Sequence, residues 1–216
     1  MTSVEPVAFG GDVSNAGEYA ILLDAPYRVA VRITGDAAIL FHRWQSDAVN
    51  AKAAAVKGSA AKKTDDIESY VWRDSDGIIC LPGEYLRGSL IDPKNGAAKY
   101  LQDPRSPRKS ALDLFKAGVV ALTDLAPITK ADGSLAEKWD YIDRRRATVQ
   151  RSGITRERPA LNAGWSAVIL LQVLTPQYID AILLRQALTQ AGRLVGVADF
   201  RPTFGRFSVT GFEVLD

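Results

Sequence analysis

Residues 164–215 read GWSAVILLQVLTPQYIDAILLRQALTQAGRLVGVADFRPTFGRFSVTGFEVL. The opening GWSAVILLQVL is an apolar run rich in β-branched and aliphatic residues, which predicts a buried strand. Thr175 and Pro176 then supply a cap and a first-turn proline. QYIDAILLRQALTQAG sets Ile179, Ile182, Leu183 and Leu188 on one face, which predicts an amphipathic helix ending at Gly192. RFSVTGFEVL closes the chain as a strand. Between helix and strand, GRLVGVADFRPTFGRFSV (192–209) arranges Gly192, Gly196 and Gly205 around a short polar turn. Glycine admits positive φ and carries no Cβ, so such a loop lets backbone N–H groups face a phosphate, a ligand or another chain. The same punctuation also serves an ordinary glycine-turned hairpin.

Working back from this stretch, YRVAVRIT (27–34) alternates apolar and polar residues and predicts a half-buried strand ended by Gly35 and Asp36. SYVWRDSDGIICLP predicts a hairpin turning at Asp74 to Gly77. Pro82 and Gly83 introduce a helix over about 83–101, with Pro93 and Asn95-Gly96 kinking it. SALDLFKAG adds helical spacing stopped by Gly118, and VVALTDLA predicts a strand. WDYIDRRRATVQR predicts a long strand, whereas GITRERPALNAG (153–164) reads as irregular. The order that results is βαββαβ: an α+β, ferredoxin-like (RRM-like) core with an antiparallel sheet, two helices on one face and the other face free. That free face is where RNA-recognition modules of this plan lay single strands. The expectation is one domain over 1–216 with insertions at about 45–80 and 103–160.

The chain has 216 residues, 47% of them hydrophobic and 24% charged, the profile of a globular protein able to bury its own core. Its one cysteine, Cys80, excludes a disulfide framework and a thiol zinc cluster, and fits a reducing, cytoplasmic setting. The first nineteen residues lack the pattern of a signal peptide, and no apolar run reaches membrane-spanning length.

Net charge is only +2, but the basic residues are clustered. DRRRATVQRSGITRER holds Arg144, Arg145, Arg146, Arg151, Arg156 and Arg158; QDPRSPRKS holds Arg105, Arg108 and Lys109; an Ala/Lys-rich stretch holds Lys52, Lys57, Lys62 and Lys63. Guanidinium groups make paired hydrogen bonds to phosphates, so such clusters attract polyanions at short range. The alternative for the first cluster is a solvated strand edge whose arginines pair with Asp140, Asp143 and Glu157. Local acidic partners being few, phosphate binding is the favoured expectation. Arg43 and Trp44, beside the sole histidine His42, form a candidate stacking site, whereas Trp165 belongs to the core. Arg201 and Arg206 flank the glycine loop and can clamp a phosphate, although Arg206 can also pair with Asp199.

The order of ILFH after the first strand, LPGEYLRGSL at a helix start and GVADFRPTFGRFSV before the last strand resembles the RAMP superfamily, the ferredoxin-like RNA-binding proteins of CRISPR effector complexes. Pro82, Gly83, Leu86, Arg87 and Gly88 match the family's motif at the first helix. Gly192, Gly196, Gly205, Arg206 and Phe207 match its C-terminal glycine-rich loop. The similarity is to the backbone subunits, which polymerise along a guide RNA, and a stand-alone relative from a phage or mobile element would look the same. Asp199 and Pro202 depart from the family's glycine run.

The resemblance implies a non-enzymatic protein that coats single-stranded RNA, or DNA by the same backbone contacts, as a homo-oligomer without cofactor or metal. Gly83, Gly88, Gly192, Gly196 and Gly205 are then positions of close backbone approach, and Arg87 joins the basic contacts. Two other readings stay open: a metal-independent endoribonuclease using His42 as acid or base, and a structural assembly protein of a virus or mobile element that binds no nucleic acid.

Overall fold

In a computed structural model, the structure describes residues 25–43, Ala54, 66–149 and 152–215. The first strand, β1 (Tyr27–Gly35), lies in the middle of the principal sheet because both of its edges are paired. Tyr27, Val29, Val31 and Ile33 point to one face and are buried, as period-two alternation requires. The chain then adds β2 (Ile39–Leu40), β3 (Trp72–Arg73) and β4 (Ile79–Pro82). Between β3 and β4, the Asp74 carboxylate accepts hydrogen bonds from the N–H groups of Asp76 and Ile78, and Gly77 takes a positive φ of 80°, giving the expected hairpin.

Helix α1 (Gly83–Ile91) follows directly and presents Leu86 and Leu90 to the core. It is shorter than expected. The Asp92 side chain accepts hydrogen bonds from the N–H groups of Lys94 and Asn95, ending the helix before Pro93, and a 3-10 turn (Ala97–Tyr100) continues the segment. After β5 (Gln102–Asp103) and β6 (Ser106–Ser110) come α2 (Leu112–Gly118), β7 (Val119–Ala121) and β8 (Leu125–Pro127). The stretch 103–160, expected as one insertion, is thus divided by β7, a strand of the principal sheet.

β9 (Tyr141–Val149) and β10 (Ser152–Leu161) form a long antiparallel hairpin. This corrects the irregular reading of 153–164. Arg144 stands opposite Glu157 and Asp143 opposite Arg158, although Arg145 stands opposite Arg156, while Pro159, Ala160 and Leu161 bury the base of β10.

β11 (Ser166–Val173) buries Ala167, Ile169, Leu171 and Val173 on the same face as the apolar set of β1. Trp165, 1% exposed, lies against Gly35 and donates its indole N–H to Ala37 O at 2.9 Å. Helix α3 (Ala181–Leu194) begins five residues later than the Thr175-Pro176 signal implies. Its cap is Asp180, whose carboxylate accepts from Leu183 N at 2.7 Å. Nor does Gly192 end it. A Cβ there would lie 2.0 Å from Phe207 O, so this glycine lets the helix approach β12 (Phe207–Leu215) within the last turn.

The principal sheet runs β12-β1-β11-β7 with every neighbouring pair antiparallel. Leu86 and Leu90 of α1 and Leu184, Ala187 and Leu188 of α3 share one core with its inner face. The fold is α+β, with several antiparallel sheets and three α-helices among the described residues. None of the described helices is long and apolar enough to cross a membrane.

Cys80, on β4, is fully buried, and its thiol donates to Ile78 O. Burial pushes the thiol pKa up to about 12. The native protein is therefore expected to resist thiol-reactive reagents at pH 8 and to react stoichiometrically once unfolded in urea, as read by a chromogenic disulfide exchange assay. Rapid native labelling would contradict this burial.

Candidate nucleic-acid interface

The two glycine motifs of the sequence meet at one cavity of about 440 Å³ between α1 and the loop that precedes β12. Glu84, Gly88 and Asp92 line it from the helix side, Lys116 from α2, and Ala198 and Arg201 from the loop. Gly83 permits this placement. A Cβ on it would lie 2.1 Å from Thr123 O, so the absent side chain brings the helix start against the chain after β7, where Gly83 N donates to Asp124 O at 3.0 Å. Gly88 differs, for nothing stands within 4 Å of its missing Cβ and the space belongs to the cavity.

The loop wall is held by backbone pairing. Val197 N donates to Gly205 O at 2.9 Å, and Gly205 N to Ala38 O at 2.8 Å. Gly196 and Gly205 both take positive φ, and a Cβ on Gly205 would lie 1.9 Å from Val197 O. The close approach of these glycines is therefore to their own chain. Ala198 and Phe200 also take positive φ, 63° and 57°, a conformation that L side chains rarely hold without surrounding constraint.

Arg201 overhangs the cavity and pairs loosely with Asp92 at 3.6 Å. Burial acts to raise the Asp92 pKa, but the N–H groups of Lys94 and Asn95 and the Arg201 charge hold its carboxyl below the ordinary range. Arg87 is turned away from the opening. It donates to Val119 O at 2.6 Å, to Lys116 O at 2.9 Å and to Glu84 at 3.1 Å, which ties α1 to α2 and β7.

Two of the hairpin arginines take partners named in the strand-edge alternative, Glu157 and Asp143, and a third takes Asp199. Arg144 pairs with Glu157 at 2.7 Å, Arg145 with Asp143 at 2.8 Å and Arg158 with Asp199. Arg158 is buried, 6% exposed, so the expectation that all these side chains face phosphate is corrected at that position. Arg144 remains two-thirds exposed, and a surface pair of this kind contributes only about 0–1 kcal/mol, leaving the guanidinium able to exchange its partner. Arg105 makes a two-pronged pair with Asp103, while Arg108 and Lys109 are exposed on β6 and Arg206 is exposed ahead of β12, with Asp199 committed to Arg158 instead.

His42 accepts a hydrogen bond from Arg156 Nη1 at 3.0 Å through Nε2, since a guanidinium can only donate. Its ring also packs on Tyr70 at 4.7 Å. Arg43 lies over Trp72 at 4.0 Å. Trp44, Lys52, Lys57, Lys62, Lys63 and Arg151, together with the leader before residue 25 and the side chain of Arg146, lie outside the described residues. No group of three His, Cys, Asp or Glu side chains among the described residues is placed to hold a metal ion.

On the sheet face away from the helices, the register places Arg28, Ala30, Arg32 and Thr34 of β1 beside Gln172, Leu170, Val168 and Ser166 of β11. β12 adds Leu215, Glu213, Gly211 and Ser208 there. No Phe, Tyr or Trp among the described strand residues occupies this face, which differs from the stacking platform expected of an RRM-like sheet. The aromatics that sequence reasoning missed are Phe200 and Phe204, in the glycine loop. Arg145 lies 4.5 Å from the Phe204 ring and 5.5 Å from the Phe200 ring, and Arg158 lies 5.7 Å from Phe200. Their signal in the sequence was two phenylalanines in a polar turn with no hydrophobic periodicity to absorb them. No protein-family model matches this chain, and no curated protein matches it either.

Proposed function

We propose that this chain is a ferredoxin-like RNA-binding protein of the RAMP kind, which assembles as a homo-oligomer along single-stranded RNA and reads its backbone rather than its sequence. The carrying observation is that two motifs about a hundred residues apart, PGEYLRG and the glycine loop, line one cavity furnished with Lys116 and Arg201. The strand order β12-β1-β11-β7 supports the ferredoxin-like reading, because it is the fourth-first-third-second order of a βαββαβ unit when β1, β7, β11 and β12 are taken as its four strands. Arg108, Lys109 and Arg144 extend the exposed positive charge. Self-association is supported by an apolar groove of about 460 Å³ between Ile182 of α3 and Phe212 of the edge strand β12. The buried free thiol of Cys80 is compatible with a reducing cytoplasm.

Anisotropy of a labelled single-stranded RNA tests this. Affinity is expected to fall by about three hundredfold between about 50 and 200 mM salt if six phosphates are contacted, with similar constants for uridine-rich and adenosine-rich strands. Binding indifferent to salt, or none in low salt, would overturn it.

A further inference from the structure

We infer that Phe200, the residue before the cavity-lining Arg201, is a nucleobase-stacking site backed by the Arg145 and Arg158 guanidiniums. The inference rests on the RNA-binding reading and names which group of the nucleotide the loop recognises. Phe200 is 41% exposed, yet its backbone sits at a φ of 57°, where a bulky side chain is disfavoured. Burial does not account for that strain, because a large part of the ring faces solvent. The ring is instead fixed from beneath: Phe204 meets it edge-on at 6.0 Å, and the two guanidiniums lie 5.5 and 5.7 Å from its centre.

Arg158 is ion-paired to Asp199, and its Nη1 is buried with no hydrogen-bond acceptor among the described residues. The cluster therefore keeps one unused guanidinium N–H donor, on Arg158, beside a preset aromatic face. A planar, electron-rich base fits such a face, since stacking on an aromatic ring flanked by arginine is how unstacked bases are held. The next residue, Arg201, lines the cavity, so consecutive side chains present a stacking surface and a phosphate-binding charge. A nucleotide offers the same pair of groups.

The test compares a labelled RNA oligomer with an abasic oligomer of equal length, which keeps every phosphate and lacks the bases. The native protein is expected to bind the intact strand about 5- to 150-fold more tightly, the ratio equivalent to about 1–3 kcal/mol per stacked base. Phe200→Leu keeps an apolar side chain and should lose that margin while retaining abasic binding; Phe200→Trp should retain the margin. If Phe200→Leu keeps the full margin, the stacking site is overturned and RNA binding stands. If the native protein binds neither oligomer at low salt, the RNA reading falls and the stacking site falls with it.

Discussion

Gly205→Ala is expected to unfold much of the protein, or to lower its stability by about 4 kcal/mol or more, which is a large part of the 5–15 kcal/mol that holds a domain together. Two costs combine. The residue sits at a φ of 71°, where an L side chain costs about 1–2 kcal/mol. Its new Cβ would also stand 1.9 Å from Val197 O, a backbone atom in the strand-like pairing that holds the loop, so relief requires breaking that pairing. A urea midpoint lowered by roughly 2 M, at about 2 kcal/mol per molar, would register the effect. Gly192→Ala should behave alike, because its Cβ would meet Phe207 O at 2.0 Å. A midpoint unchanged in both variants would mean that the helix and loop do not approach β12 as described.

The second large effect is on binding. Gly88→Glu combined with Arg201→Glu adds negative charge to the cavity and removes the phosphate contact proposed for Arg201, and affinity for single-stranded RNA is expected to fall about a hundredfold at about 50 mM salt, with the salt slope reduced by about one. Gly88→Ala is the matching control. Nothing stands near the missing Cβ, so alanine should fit, remove the entropic penalty of helical glycine and raise stability by about 0.4–1 kcal/mol, with affinity retained. Unchanged affinity in the charge-reversed protein, verified as folded by circular dichroism, would remove the cavity from the RNA path.

The elements that sequence reasoning found share one property: their pattern is local. The alternation in β1, the apolar run of β11 and the Asp74 turn each declare themselves within a few residues. What it missed was decided at a distance. Thr175-Pro176 has the chemistry of a helix start, but Asp180 is the residue whose carboxylate reaches the free N–H of Leu183. Gly192 looks like a stop, and only the position of Phe207 shows that it is a spacer inside the helix. β10 was obscured by its charges and proline. Its signal was the mirror placement of opposite charges, Asp143 with Arg158 and Arg144 with Glu157, about the centre of the hairpin. Of the site, the glycine motifs and Arg201 were legible, whereas the commitment of Arg87 to backbone carbonyls and of Arg158 to Asp199 depends on elements that close only in three dimensions.

The central position of β1 also sets a schedule for assembly. Strand 27–35 finds its two partners in strands 166–173 and 207–215, so among the described strands the first waits for the last. Contacts so far apart in sequence carry a high loop-closure cost and slow the rate-limiting step of folding. Until then YRVAVRIT is a bare, β-prone segment open to pairing with the same segment of another nascent chain. Expression yield is therefore expected to respond to chaperone supply as well as to native-state stability.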